Sequence, residues 1–236
     1  MSKVIPIFRR ELFAYFYSPM AYIVISVFLI FTGWFFTSQL FLANDSSLRT
    51  VFSTIPFIFI FFAPAITMRL LTDERRSGTI ELLVTMPLSD IEIVLGKYFA
   101  SLGLLVVALV FTLPYAITVV VLGKPDAGML VTGYVGLVLM GASYLAVGVF
   151  ASTVSKNQVV SFIIAFMIIF ALFLLDKFLA VMPSYLVPFL QYLSIDYHYN
   201  NIGRGVIDSR DVVYYLSLIV FMLALAKLSI ESRKWS

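Results

Sequence analysis

The sequence predicts an all-α integral membrane protein. It would have an N-terminal amphipathic interface helix, six transmembrane helices, a short cytosolic helix, and broken or re-entrant external helices between spans five and six. Three observations carry this. Hydrophobic residues make up 61% of the 236 residues, and charged residues only 12%, about half the charge of an ordinary soluble domain. Mean hydropathy is +1.02. The charges also leave gaps, six of which suit helices of about 20 residues, the length that crosses a bilayer core.

The elements follow in chain order. In residues 3–17, Ile5, Phe8, Leu12 and Phe16 recur at helical spacing and share one face. Arg10 is expected to point away from that face, with Arg9 and Glu11 on its flanks. Such a helix would lie on the inner leaflet, and Pro19 would end it. Span one, residues 21–42, is too long for a signal-peptide core and lacks a small-residue cleavage pattern, so it is expected to stay as an anchor. Span two, residues 51–71, carries Pro56 and Pro64, each of which tends to kink a helix. Its helix is expected to run on through residues 72–77 into the cytosol. Span three, residues 94–122, ends at the turn signals Gly123 and Pro125.

Span four, residues 129–151, holds Gly133, Gly136, Gly141 and Gly148, which favour close helix packing. Span five, residues 158–176, ends at Asp176 and Lys177, read as an outer-rim pair. In residues 178–211, Pro183 and Pro188 break the helix into short pieces at the outer interface. Residues 194–211 read as a polar, turn-rich external loop holding His198, Asp196, Asp208 and Asp211. Span six, residues 212–230, tolerates Lys227 near its end, where the side chain can snorkel. The spans are otherwise read as free of ionisable residues. With the N-terminus inside, 11 of the 16 Lys and Arg residues fall on the inner side, which puts both termini in the cytoplasm. Residues 1–236 read as a single membrane domain.

Several chemistries are missing. There is no Cys and only one His, which removes thiolate metal sites and disfavours His-based catalysis. Gly96-Lys97 is followed by Tyr98, and Gly123-Lys124 by Pro125, so neither completes a phosphate-cradling loop. Ser143 has no His within a span to activate it. The scattered basic residues give no nucleic-acid footprint. The chain itself is expected to be no enzyme and to hold no cofactor or metal.

Charge concentrates in residues 72–90, TDERRSGTIELLVTMPLSD. Gly78 suits the left-handed conformation that stops a helix. Thr79 can cap a new helix, with Glu81 in its first turn where the dipole favours a carboxylate. That helix exposes Leu82, Leu83 and Val84 and is closed by Pro87. Ser89 and Glu92 then form a capping box for the next helix. A short helix stopped at both ends is a specified shape, suited to a partner's groove.

The segment ERRSGTIELLVTMPLSDIEIVLGKYFA resembles the first cytoplasmic loop of the type-2 ABC exporter permease family, E-[KR]-x-x-G-T-x-E-x-L-x-x-x-P followed by a capped helix ending in G-K. The matching positions are Glu74, Arg75, Gly78, Thr79, Glu81, Leu83, Pro87, Gly96 and Lys97. The opening RRELFAYFYSPMAYIVISVFLIFTGWFF is similar to the gliding-motility-associated permeases of that family. The resemblance implies the membrane-spanning subunit of an ATP-driven exporter in a bacterial inner membrane. It implies a homo- or heterodimer with a second permease, two cytosolic ABC ATPases that bind ATP and Mg, and room for an accessory membrane or periplasmic protein.

It further implies that residues 80–86 form the coupling helix seated in the ATPase. Glu74, Arg75 and Arg76 would lie in its stem, and the interface helix with Arg9, Arg10 and Glu11 would touch the same ATPase. Spans two and five would line the path, and the external segment would gate it. A membrane scaffold that recruits cytosolic proteins through residues 72–90 without transporting is the alternative reading.

Overall fold

The computed structural model describes residues 3–42, 48–78, 89–123, 126–178, 182–203 and 205–232. Among them every regular element is a helix: α1 Val4–Tyr17, α2 Pro19–Leu42, α3 Arg49–Thr67, α4 Thr72–Arg76, α5 Asp90–Val110, α6 Leu113–Leu122, α7 Ala127–Val154, α8 Gln158–Phe178, α9 Val187–Leu193, α10 Ile195–Ile202 and α11 Ser209–Glu231. Six segments are long and apolar enough to cross a membrane: α2, α3 with α4, α5 with α6, α7, α8 and α11.

The most enclosed is α7, which packs against α3, α5, α8, α10 and α11. Its glycines each receive a different neighbour. Gly133 faces Phe52, Gly136 faces Tyr199 and Ile202, and Gly141 faces Leu105 and Phe59. Gly148 lies so close to Thr67 that a methyl there would overlap it. Small residues let helices approach where lipid supplies no hydrophobic drive between them. The outward faces of α2, α8 and α11 carry large exposed side chains such as Trp34, Met167 and Phe221, the expected surface toward acyl chains.

Proline shapes two of the spans. Helix α3 runs unbroken through Pro56 and Pro64. Pro56 has no N–H to give the carbonyl of Phe52, and the Tyr199 hydroxyl donates to that carbonyl instead, at 2.9 Å. The freed backbone acceptor is thus satisfied from α10, the requirement for a tolerated intramembrane proline. Span three is not one continuous helix as expected. It breaks at Phe111 and Thr112, because Pro114 cannot continue the ladder and disfavours helical geometry just before itself. There the Thr112 N–H turns back to Leu109 O.

Two other expectations change. The helix of span two stops at Thr67, and the chain turns through Met68–Leu71 before α4 begins. The Leu70 N–H bonds the Thr67 carbonyl, not that of Ile66. The released Ile66 carbonyl is taken by the Tyr15 hydroxyl at 2.8 Å. Residues 195–202, read as turn-rich, form helix α10, whose buried face is Ile195, His198, Tyr199 and Ile202. Ser194 caps it by accepting from the Tyr197 N–H.

Helix α1 lies alongside α5, running in the same direction. Lys3 meets Glu92, Ile7 meets Gly96, and Leu12 meets Gly103. The face packed on the protein is Ile7, Phe8, Leu12, Tyr15 and Phe16. Ile5, expected on the apolar face, is exposed.

Candidate functional site

The site is built around α4, five residues that touch most of the helix ends on one side of the molecule. Asp73 accepts from the side-chain amide of Gln158 at the start of α8 and pairs with Arg69 at 3.1 Å. Glu74 Oε1 receives the Lys97 ammonium of α5 at 2.7 Å. Arg75 is buried and donates to the Thr153 carbonyl in the last turn of α7. That carbonyl is one of those a helix end leaves without an internal partner, and Ser229 of α11 donates to it as well, at 3.4 Å. Arg76 is exposed. Gly78 follows with φ +72, the left-handed turn expected of it, and so redirects the chain just before residue 79.

Lys97 is the centre of the electrostatics. Its side chain is 2% exposed, and it holds Glu74 at 2.7 Å and Glu11 of α1 at 3.3 Å. Arg10 completes the group, 2.7 Å from Glu11 and 3.8 Å from Glu74. Two acids and two bases therefore clasp α1, α4 and α5 together. The hydrogen bond to Glu11 raises the pKa of Arg10 above its ordinary value, against the opposing effect of partial burial. Buried charges persist only when paired, and every pairing here except Arg10–Glu11, which lies within α1, crosses between helices. Arg10 is exposed, as expected, yet its guanidinium comes within 3.8 Å of Glu74, while Glu11 turns inward to the Lys97 ammonium. Arg9 stays outside the clasp, exposed over the Phe13 ring at 5.6 Å.

Local packing holds α1 in place for this. A Cβ at Gly96 would stand 2.5 Å from Ile7 Cγ2, so the glycine next to Lys97 is what lets α1 reach the ammonium. The expected capping box at Ser89 and Glu92 forms, and the Glu92 carboxylate also accepts from the Lys3 N–H at 2.9 Å. One residue thus starts α5 and anchors the start of α1. A cavity of about 180 Å³ opens beside the clasp, lined by Glu11, Tyr15, Arg69, Asp73, Glu74 and Lys97 among others.

The remaining expected site residues, Thr79, Glu81, Leu82, Leu83 and Pro87, lie outside the described residues, as does the whole expected coupling helix. Sequence reasoning missed Lys97 as a site residue and treated the third span as free of charge. The signal was available: a lysine seven residues into an apolar helix requires acidic partners, and Gly96 beside it marks a close approach.

A second feature is an aromatic seam between α3 and α8. Phe61 and Phe166 stand 5.1 Å apart and Phe57 and Phe173 6.3 Å apart, with Phe162, Phe166 and Phe170 stacked along α8. Phe57 and Phe61 are about half exposed.

The fold and the clasp define a multi-pass helical membrane protein whose charged junction gathers at the helix ends of one side. A family model described as ABC-2 family transporter protein matches residues 31–232, and the chain belongs to that family. It is therefore the transmembrane component of an ABC transporter, a class that works with a separate ATP-binding subunit and lacks an ATPase site of its own. No curated protein matches the chain.

Proposed function

We propose that this chain is the permease half of an ATP-driven exporter and that the clasp of Arg10, Glu11, Glu74 and Lys97 carries motion from the ATPase into the spans. The observation that supports this is the burial of Lys97 between Glu11 and Glu74, which ties α1, α4 and α5 into one body. Residues 80–86, read as the coupling helix, come after α4 and the Gly78 turn in the chain. A push on them reaches α5 through Glu74, α7 through Arg75, and α8 through Asp73 and Gln158. Two copies of the chain, or this chain and a sister permease, would face each other across α3 and α8. The aromatic seam there suits an apolar or amphipathic cargo. The external segment α9–α10 closes the far end of the path. Both termini are cytoplasmic in this reading, and ATP and Mg belong to the ATPase.

The test is reconstitution of the permease with its ATPase in liposomes. Gly78→Val strains the left-handed turn, and Glu81→Lys reverses the charge in the first turn of the coupling helix. Both are expected to lower ATP turnover or ATPase binding. Unchanged complex formation and unchanged turnover in both variants contradict the coupling role. ATPase binding that ignores nucleotide, with no transport, favours the scaffold reading.

A further inference from the structure

The external segment holds a buried arrangement that requires an extra proton. The single histidine of the chain, His198, has Nδ1 2.6 Å from Asp211 Oδ1 and Nε2 3.0 Å from the Tyr192 carbonyl. Both side chains are 4% exposed. A carbonyl only accepts, so Nε2 carries a hydrogen. A carboxylate also only accepts, so the short Nδ1 contact needs a second hydrogen. A neutral imidazole has one. The second sits either on the ring, giving an imidazolium–carboxylate pair, or on Asp211, which then donates to Nδ1. In both cases the pair holds one proton more than a neutral imidazole and a free carboxylate.

We propose that His198 and Asp211 form a buried site for one proton, and that this proton latches the external segment onto α11. Three carbonyls at the junction of α9 and α10 are held by side-chain donors. Tyr214 holds Leu193 at 2.7 Å, Tyr215 holds Ile195 at 2.9 Å, and His198 holds Tyr192. Tyr192 and Leu193 end α9, where carbonyls lack helical partners. The two tyrosine hydroxyls donate whatever the state of the histidine. Only the third hold depends on the extra proton.

The other titratable groups around the ring are accounted for. From α11, Tyr214 stacks on it at 3.9 Å and Tyr215 stands 6.4 Å away. From α9 comes the Tyr192 ring at 5.8 Å, and from α10 Tyr197 at 5.7 Å. Asp196 of α10 is taken by Lys177 of α8 at 2.7 Å, and Tyr144 of α7 lies near Asp196. Asp211 is thus the acid that answers His198. Its Oδ2 has no hydrogen-bond partner among the described residues, so loss of the proton leaves a poorly compensated buried carboxylate. The site does not depend on the transport reading.

The test uses the full chain in nanodiscs, purified on a histidine-free tag and labelled with 15N-histidine, whose signal belongs to one residue. Spectra and hydrogen exchange of residues 187–202 are followed from about pH 5 to about pH 9, around the ordinary imidazole range. Loss of the proton is expected to move the nitrogen shifts and, together with them, to speed amide exchange about tenfold to hundredfold, the scale of a charge-assisted bond. Asp211→Asn supplies an amide that donates to Nδ1, so His198 needs one hydrogen only. Its protection, measured against the intrinsic exchange rate at each pH, should stay high and insensitive to pH. His198→Phe should exchange fast at every pH. A wild-type ring with a single hydrogen throughout, or exchange in residues 187–202 that ignores the nitrogen titration, overturns the proposal.

Discussion

Replacing Lys97 with methionine removes the ammonium and keeps the bulk of the side chain. Glu11 and Glu74, which both reach the same Nζ at 3.3 and 2.7 Å, are then left facing each other. At about 6 Å and an effective dielectric of about 20, two carboxylates repel by about 3 kcal/mol. Breaking a buried pair from one side costs about 3–5 kcal/mol in total. For a chain of this size that lowers the melting temperature by about 10 °C. Replacing the two acids and the buried base, as Glu11→Gln, Glu74→Gln and Lys97→Met together, leaves only the largely exposed Arg10 without an acidic partner and should recover most of the loss, since buried ion pairs are often neutral against uncharged packing. The assay is thermal unfolding of the single and triple variants in the same detergent. A Lys97→Met variant as stable as the wild type, or a triple variant no better than the single, refutes the clasp as the element joining α1, α4 and α5.

Other outcomes follow from the same contacts. Tyr199→Phe strips the donor from the Phe52 carbonyl and should cost about 1–3 kcal/mol. Adding Pro56→Ala restores a backbone N–H and should reduce that cost, a non-additivity that a double-mutant cycle measures. Gly96→Val pushes Ile7 away from α5 and should free α1, read as faster proteolysis within residues 3–17 while α7 stays protected. Arg75→Ala leaves the Thr153 carbonyl with only the longer Ser229 bond, losing a bond to a charged donor worth about 1.5–3 kcal/mol, and should speed amide exchange at the end of α7. Wild-type exchange there contradicts the role given to Arg75.

How much of this was legible in the sequence depends on what the signal was. Span number and helical class follow from the spacing of charges, because lipid imposes a length and a polarity on each crossing. Caps at Ser89 and Gly78 were legible because each rests on one residue's local chemistry. The break at Thr112 was equally local, but Pro114 was hidden inside an unbroken apolar run and only its ring geometry reveals it. Helix α10 was masked by its polar residues. His198, Asn200 and Asn201 look like a loop, yet Ile195, Tyr199 and Ile202 keep a helical spacing on the buried side. The clasp could not be read by position, since Glu11, Glu74 and Lys97 are far apart in sequence and meet only after α1 lies along α5. The face of α1 was misjudged for the same reason: Ile5 fits an apolar stripe, but the neighbour that decides is Gly96, which takes Ile7.

The central claim is that α1 and α4 move as one body when the ATPase closes. The chain has no cysteine, so pairs of spin labels can be placed freely. The permease with its ATPase is labelled in the Ile5→Cys/Arg76→Cys variant, on exposed positions of α1 and α4, and in the Arg76→Cys/Tyr185→Cys variant, reaching to the turn before α9. Pulsed distance measurements are made with and without ATP under non-hydrolysing conditions. The first distance is expected to stay constant while the second changes. A nucleotide-dependent change between positions 5 and 76, with no change between 76 and 185, contradicts the claim.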